Sequence, residues 1–505
     1  MKLKYHVNFW FLKVNQNFFL VIAFLTVFVS CQLFVHSVLG QELYVGSQTV
    51  DISPELPVAL TGQFHLRIAE TAETPLKATV MVLETRGARG DLAIMVSCDA
   101  LYIPTDLLAL VRKAVKGQLP EIDESKIFLN ATHTHTAPVL ALDGEYLIPK
   151  TGVTQVKDYR NFFVEKVSDA IVSAWKERAP GSVAWGMSYA VAGYNRRIVY
   201  ADGTSGMSSK TNLPEFRSLE GSEDHDVNTL FFWNDKDKLV SIIVGVASPS
   251  QEVEGRYAVN ADYWHPVREG LREKYGKEVN VLGWAAAAGD ITPHIRYRQA
   301  ADDRMRNLRN LSRTEELARR IILAVDESYD AVATERHAEP IFEHHVEQLL
   351  LPERWVTEKN YLEARAYVQN AKEQIAEDPK AADVLYRMMN WQERSVKRYE
   401  KQLENPKQMY PMDLHVIRLG DIAICTNEFE LFSDFGIRMM ARSKALQTFV
   451  VQLTGSSDWG SYLPTDRAVR GGAYSAVIHS IIVGPVGGQV LVGRTVEVID
   501  QLWNK

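Results

Sequence analysis

Cysteine is scarce, with three in 505 residues (Cys31, Cys98 and Cys425) and no CxxC spacing among them. That excludes a disulfide-stapled scaffold and a cysteine-built zinc or redox motif. Cys98 and Cys425 each end an apolar, strand-like run and read as small buried hydrophobes. No internal repeat and no low-complexity block occurs, which excludes solenoids and long disordered tracts. An excess of basic residues is also missing. The formal net charge is −7, and the first forty residues hold Lys2, Lys4 and Lys13 but no acid, so their removal takes it to −10. Such a chain has no electrostatic reason to bind nucleic acid or an anionic membrane surface. Long apolar runs are lacking too. The stretch from Phe18 to Val29 is followed by Ser30, Gln32 and His36, short of the roughly 20 residues a membrane span needs. Lysines, then an apolar core, then small residues is the layout of a secretory address. Residues 1–40 are therefore expected to be a signal peptide cleaved after Gly40, giving a periplasmic or extracellular protein with no stable membrane span. Lipid attachment at Cys31 is the less favoured alternative.

The composition that remains, 46% hydrophobic and 24% charged, suits an ordinary globular protein with a large core. Strand-like runs alternate with amphipathic segments. Residues 78–85 and 92–100 read as strands, 105–119 as a helix, and 126–135 as a strand running into a loop. Residues 156–179 form a helix with Phe162, Phe163, Val167, Ala170, Ile171 and Ala174 on one stripe. The cycle recurs at 239–248, 261–276 and 278–290. This alternation predicts an α/β fold, a mixed or parallel sheet covered by helices, over residues 41–505. Residues 353–405 depart from it. Two stripes, Tyr361, Ala364, Val368, Ala371, Ile375 and then Val384, Met388, Trp391, Tyr399, flank Asp378-Pro379 and predict a helical hairpin inserted into the domain, its charged faces in solvent. Residues 412–426 return to strand as a hairpin turning at Gly420-Asp421.

In sheets of this kind ligands gather at the carboxyl ends of strands, and four segments put reactive residues there. Asn130 to Pro138 contains His133 and His135 at i and i+2, a spacing used both by metal ligands and by hydrogen-bonded structural histidines. On a straight strand their side chains point the same way, roughly 7 Å apart. Ala285 to His294 carries Gly289-Asp290 and presents Thr292 at a strand exit, either a nucleophile or a capping threonine. Glu428 follows the strand ending at Cys425-Thr426 and reads as a ligand, a base or the acidic start of a helix. Leu453 to Thr465, with Asp458, Trp459 and Tyr462, is an irregular polar-aromatic loop suited to a sugar, a lipid or another ligand.

Taken in order, these segments resemble the catalytic domain of the neutral, non-lysosomal ceramidases over about Val45 to Val477. The family's Thr-His-Thr-His-Ser-Gly-Pro stretch is matched at Thr132–Pro138, with Thr136-Ala137 in place of Ser-Gly. Its Gly-Asp-x-Ser-Pro motif is matched at Gly289–Pro293 with Thr292 at the nucleophilic serine, its Gly-Glu-Phe at Asn427-Glu428-Phe429, and its Asn-Arg at Asn195-Arg196. The resemblance implies a divergent member without the family's C-terminal Ig-like domain. It implies cleavage of an N-acyl amide bond, with Thr292 as nucleophile or water-positioner, His135 as base, Asp290 within the catalytic motif and Arg196 as a substrate clamp. For zinc it implies His133 and Glu428 as ligands, while Ser248 and Trp459 stand where the family has a histidine and a tyrosine. A neutral serine is a poor zinc ligand and an indole has no free lone pair. The expectation is therefore that zinc is not held in the family's geometry, and that any bound metal recruits His135, Asp262 or His265. The substrate is a small molecule, lipid or glycoconjugate, and an ester or glycosidic bond is an alternative target. A binding protein that kept the pocket without the chemistry is the rival from another class.

Overall fold

A strand that is apolar along its whole length has no face to offer water, so it must be covered on both sides. The computed structural model, which describes residues 41–87, 90–142, 144–456 and 461–504, shows how two sheets meet that demand. The larger, mixed and eight-stranded, contains β1 (Leu43–Asp51), β2 (Lys77–Thr85), β3 (Leu92–Cys98), β4 (Ile127–Ala131), β5 (Ala179–Tyr189), β6 (Asp226–Asn234), β7 (Leu239–Val246) and β8 (Asn280–Ala285). Their order is β8-β7-β6-β5-β1-β2-β3-β4. The smaller sheet runs β9 (Phe342–Pro352), β10 (Met409–Leu419), β11 (Ile422–Thr426), β12 (Gln447–Val451).

Side chains alternate between the faces of each strand, and that sorts the core into layers. Met81 and Leu83 of β2 pack with Ile417, Leu419, Ile422 and Ile424 of the smaller sheet. Val80 and Val82 face the other way, onto Leu107 and Val111 of α1 (Thr105–Gln118) and Phe163 and Val167 of α2 (Val156–Glu177). Further along, α3 (Trp264–Tyr275) and α4 (Arg313–Val332) cover Phe231, Ile242 and Val244. The expected inserted hairpin is α5 (Glu358–Glu377) and α6 (Ala382–Glu404). Finally α7 (Pro485–Trp503) packs Leu491, Val498 and Ile499 onto Val416, Ala423 and Cys425. The result is helix, sheet, sheet, helix. The expectation of a mixed sheet covered by helices holds, with a second sheet as an inner layer. Cys98 and Cys425 are both free and buried.

The reading of α6 needs correction. Val384, expected on its inward stripe, is 60% exposed, whereas Arg387 is buried at 6%. The face of α6 that meets the body is polar and aromatic, so counting apolar positions alone mis-sets it.

Three parallel pairs, β3–β4, β7–β8 and β11–β12, point their carboxyl ends to one region. The side chains of Ser97 and Asn130 donate to Gly283 O at 2.6 and 3.2 Å, drawing β3 and β4 to β8. Among the described residues no helix is long and apolar enough to cross a membrane. The segment expected to be a signal peptide, with Cys31, lies outside the described residues.

Candidate functional site

The loop after β4 is not straight. His133 takes a left-handed backbone conformation, φ 65°, which is uncommon for a residue with a Cβ and costs on the order of 1 kcal/mol or more. It is held there by Thr134 and Thr136, whose hydroxyls both donate to Asn260 O at 2.7 Å, and by His133 Nδ1, 2.7 Å from Leu101 O. The bend replaces the expected spacing of roughly 7 Å with ring centroids 4.9 Å apart, crossed at 89°.

The partner of His133 is Glu430, whose Oε2 lies 3.4 Å from His133 Nε2. Glu430-Leu431 pairs in parallel with Tyr462-Leu463, which sets Glu430 beside Tyr462, and their side chains hydrogen-bond. Gly289 lies so near that an added Cβ would overlap the carbonyl of Glu430. The small residue of the Gly-Asp motif is needed for this close approach. Arg196 enters because Tyr194-Asn195 pairs with Ile291-Thr292 and its own N–H donates to Asp290 O at 2.8 Å. Its guanidinium donates to Gly289 O (3.1 Å), Tyr462 Oη (3.3 Å) and Gln251 Oε1 (3.1 Å), and lies 3.7 Å from Glu430 Oε2. Its buried Nε has no hydrogen-bond partner among the described residues. Burial pushes the Glu430 carboxyl up, but His133 and Arg196 outweigh it and hold it below its ordinary range. Burial, then Glu430, raises the Tyr462 hydroxyl well above its ordinary value.

His135 sits beside this group. Its Nδ1 is 3.1 Å from Gly62 O and 3.6 Å from Glu254 Oε2, and its Nε2 is 3.2 Å from Gln251 Nε2. Gly62 has φ 101°, and a Cβ there would come within 2.8 Å of the His135 ring, so no other residue fits. Burial, followed by the neighbouring His133 and Arg196, pulls His135 well below the ordinary imidazole range. A second acid–imidazole group adjoins it: His294 lies 3.4 Å from Glu252 and 4.0 Å from Glu254. Burial brings His294 down to about 4 and Glu252 up to about 8.

The other sequence candidates are placed as follows. Asp290 accepts from Asn195 Nδ2 (2.8 Å), Ser433 N (2.8 Å) and Ser433 Oγ (3.0 Å), so its carboxylate is spent on holding three segments together. Thr292 is buried, and its hydroxyl accepts from His294 N at 3.3 Å. Glu428 accepts from Tyr410 Oη at 2.8 Å, and burial raises it to about 7. The carboxylate opposite His133 is thus two residues further on than motif matching picks. Ser248 Oγ donates to Ala192 O at 2.9 Å. Asp262 accepts from the N–H groups of Val253 and Tyr263, and His265 lines a small cavity with Lys77, Arg268 and Arg272. Trp459 and Asp458 lie outside the described residues. Sequence reasoning missed Glu430 and Gln251 as site residues. The visible signal for Glu430 was its own position, i+2 from Glu428 on an extended segment.

Does this group suit a cation? Leu101 O can only accept, so His133 Nδ1 carries a hydrogen and, in the neutral ring, Nε2 turns a lone pair toward the Glu430 carboxylate. Two acceptors facing each other call for a positive charge between them, a proton or a metal ion. Imidazole and carboxylate are ordinary zinc donors, and the Tyr462 hydroxyl is a third oxygen. Among the described residues, no three His, Cys, Asp or Glu side chains gather for a metal.

No family model and no curated protein matches the chain. Solved structures do, ceramidases among them. The neutral ceramidase from Pseudomonas aeruginosa is 15% identical with a TM-score of 0.65, over 91% of this chain and 75% of that one. A ceramidase described as complexed with C2 is 14% identical with a TM-score of 0.63, over 92% and 76%. At these identities the likeness is one of fold: the chain has the fold of these ceramidases.

Proposed function

We propose that the protein is an exported hydrolase that cleaves an N-acyl amide bond, or a related ester or glycosidic bond, in a lipid or glycoconjugate. The observation that carries this reading is the meeting of His133, His135, Arg196, Glu430 and Tyr462 from separate segments. A purely structural set of turn and cap residues would have no reason to converge. His135 is the general base, and Thr292 the nucleophile or the residue that positions water. Arg196, whose Nε–H has no partner among the described residues, clamps the substrate's carbonyl or headgroup oxygen. Asp290 fixes the Arg196 backbone rather than reacting. Zinc would be held by His133, Glu430 and Tyr462, in place of the His133–Glu428 pair, and bound there would polarise the scissile carbonyl and acidify a water.

The test is turnover of a panel of N-acyl lipids, esters and glycosides by the purified mature chain, with and without chelator. Arg196→Ala is expected to lower kcat/KM by roughly 10²-fold or more on any substrate found. No turnover across the panel, with Arg196→Ala and His133→Ala altering only thermal stability or ligand affinity, would replace the hydrolase with a binding protein.

A further inference from the structure

Gln251 is buried between the two groups on which the proposed chemistry depends. Its Oε1 lies 3.1 Å from Arg196 Nη1, and its Nε2 lies 3.2 Å from His135 Nε2 and 3.4 Å from Glu254 Oε2. A guanidinium has only donors, so the oxygen of the amide must face Arg196 and the NH2 must face His135. An amide NH2 has no lone pair to offer, so the nitrogen it meets on His135 must be the bare one. The opposite side of the ring agrees. His135 Nδ1 faces Gly62 O at 3.1 Å and Glu254 Oε2 at 3.6 Å, both acceptors, so Nδ1 carries the hydrogen.

We infer that Gln251 is a positioning residue: it couples Arg196 to His135 and directs the His135 Nε2 lone pair, in the neutral tautomer that Gly62 O already sets at Nδ1. The orientation comes from a residue that cannot change sides, because Arg196 is itself tied to Gly289 O, Tyr462 Oη and Glu430. The ring nitrogen that does the work of a base is set by what the other nitrogen and its neighbours donate or accept. The amide also covers that lone pair at rest. A substrate or water proton bound there must displace the Gln251 N–H, which remains able to turn to Glu254. That Nε2 then serves as a base rests on the hydrolase reading; the tautomer does not.

Two variants separate positioning from packing. Gln251→Glu keeps the size and an oxygen for Arg196 but presents an acceptor to His135 Nε2. Gln251→Met keeps the size and loses both hydrogen bonds, while Gly62 O still holds the hydrogen on Nδ1. In 15N-labelled full mature chain, two-bond proton–nitrogen spectra, assigned with a His135→Gln variant, are expected to show His135 Nε2 unprotonated in the wild type and in Gln251→Met. In Gln251→Glu, Nε2 is expected to gain the protonated signature. On any substrate the wild type turns over, kcat is expected to fall by roughly 10²- to 10⁴-fold in Gln251→Glu and about tenfold in Gln251→Met, with KM moving less than about threefold. A merely structural role gives the reverse order, since Gln251→Met breaks more bonds. A wild-type His135 bearing its hydrogen on Nε2, or a Met variant slower than the Glu variant, overturns the assignment. If the spectra come out as expected but no substrate is cleaved, the hydrolase reading fails and the tautomer assignment stands.

Discussion

A carboxylate two positions along an extended segment can be mistaken for its neighbour, and here the backbone decides between them. Glu430 is fixed by its pairing to Tyr462 and by its N–H, which donates to Ser461 O at 2.9 Å; Glu428 lies beyond that short ladder, against Tyr410. Only Glu430 meets both His133 and Arg196. Motif order picks Glu428, whereas the carboxylate beside His133 is Glu430, because a three-residue match such as Asn427-Glu428-Phe429 has no power against a shift of two. The histidine pair was legible as a pair, yet its geometry was not, since nothing in Thr-His-Thr-His announces a left-handed residue. Exchanging each carboxylate for its amide tests the assignment. Glu430→Gln is expected to lower kcat/KM by roughly 10²-fold or more on whatever substrate the wild type cleaves, by removing charge that the site uses. Glu428→Gln keeps an oxygen for Tyr410 and is expected to stay within about threefold, as for a group outside the reacting atoms. Equal losses in the two variants would return Glu428 to the site.

At the scale of the element, the helical hairpin is the part that sequence periodicity located well and oriented badly. Its limits, its turn at Asp378-Pro379 and the packing of Ala364, Val368 and Ala371 follow from the apolar spacing. What that spacing could not reveal is a buried arginine. Arg387 of α6 donates to Gln63 O and Tyr146 Oη, both at 2.6 Å, and its Nη1 lies 3.3 Å from Glu145 Oε1. The rings of Phe64, Tyr146 and Trp391 surround the guanidinium at 5.5 to 5.8 Å, and Trp391 stacks on Tyr474, which meets Tyr462 edge-on. The hairpin is therefore pinned to the loop that carries Gly62 against His135, and to the aromatic neighbours of Glu430. Glu145 is buried and also accepts from Thr61 and Tyr102, so losing Arg387 strands a buried charge. Arg387→Met is expected to cost about 3–5 kcal/mol in urea unfolding. Adding Glu145→Gln is expected to restore about half of that, since the orphaned charge goes with it. Strict additivity of the two substitutions would mean that the pair does not act as a unit.

The whole molecule depends on the seam between its two sheets, and that seam contains polar groups as well as Met81, Leu83, Ile417 and Phe449. The strand-by-strand pattern revealed runs buried on both faces, but not that a second sheet, rather than helices, covers one of them. His344 on β9 crosses the seam: its Nδ1 donates to Leu92 O of β3 at 2.9 Å, and its Nε2, then bare, accepts from His415 Nδ1 at 3.0 Å. His415 on β10 lies against Phe128 of β4. Burial, with Lys126 next for His344 and His344 next for His415, holds both rings below the ordinary imidazole range, against the weaker opposite pull of Asp91 and Asp123 on His344; Arg112 adds to the effect on His415. In the unfolded chain both histidines take up protons near pH 6.5. The folded state therefore binds fewer protons below that pH, so the pair's contribution is complete above about 6.5 and is lost as the pH falls toward the depressed folded values. A double variant, His344→Asn with His415→Phe, removes both titrating rings and leaves neither as an orphaned partner. Unfolding free energies measured from pH 7.5 to 5 are expected to fall more steeply for the wild type, the two curves converging by on the order of 4 kcal/mol over that window, about half from each ring. Parallel curves would mean that the rings are already protonated in the folded protein, or that water reaches the seam between the sheets.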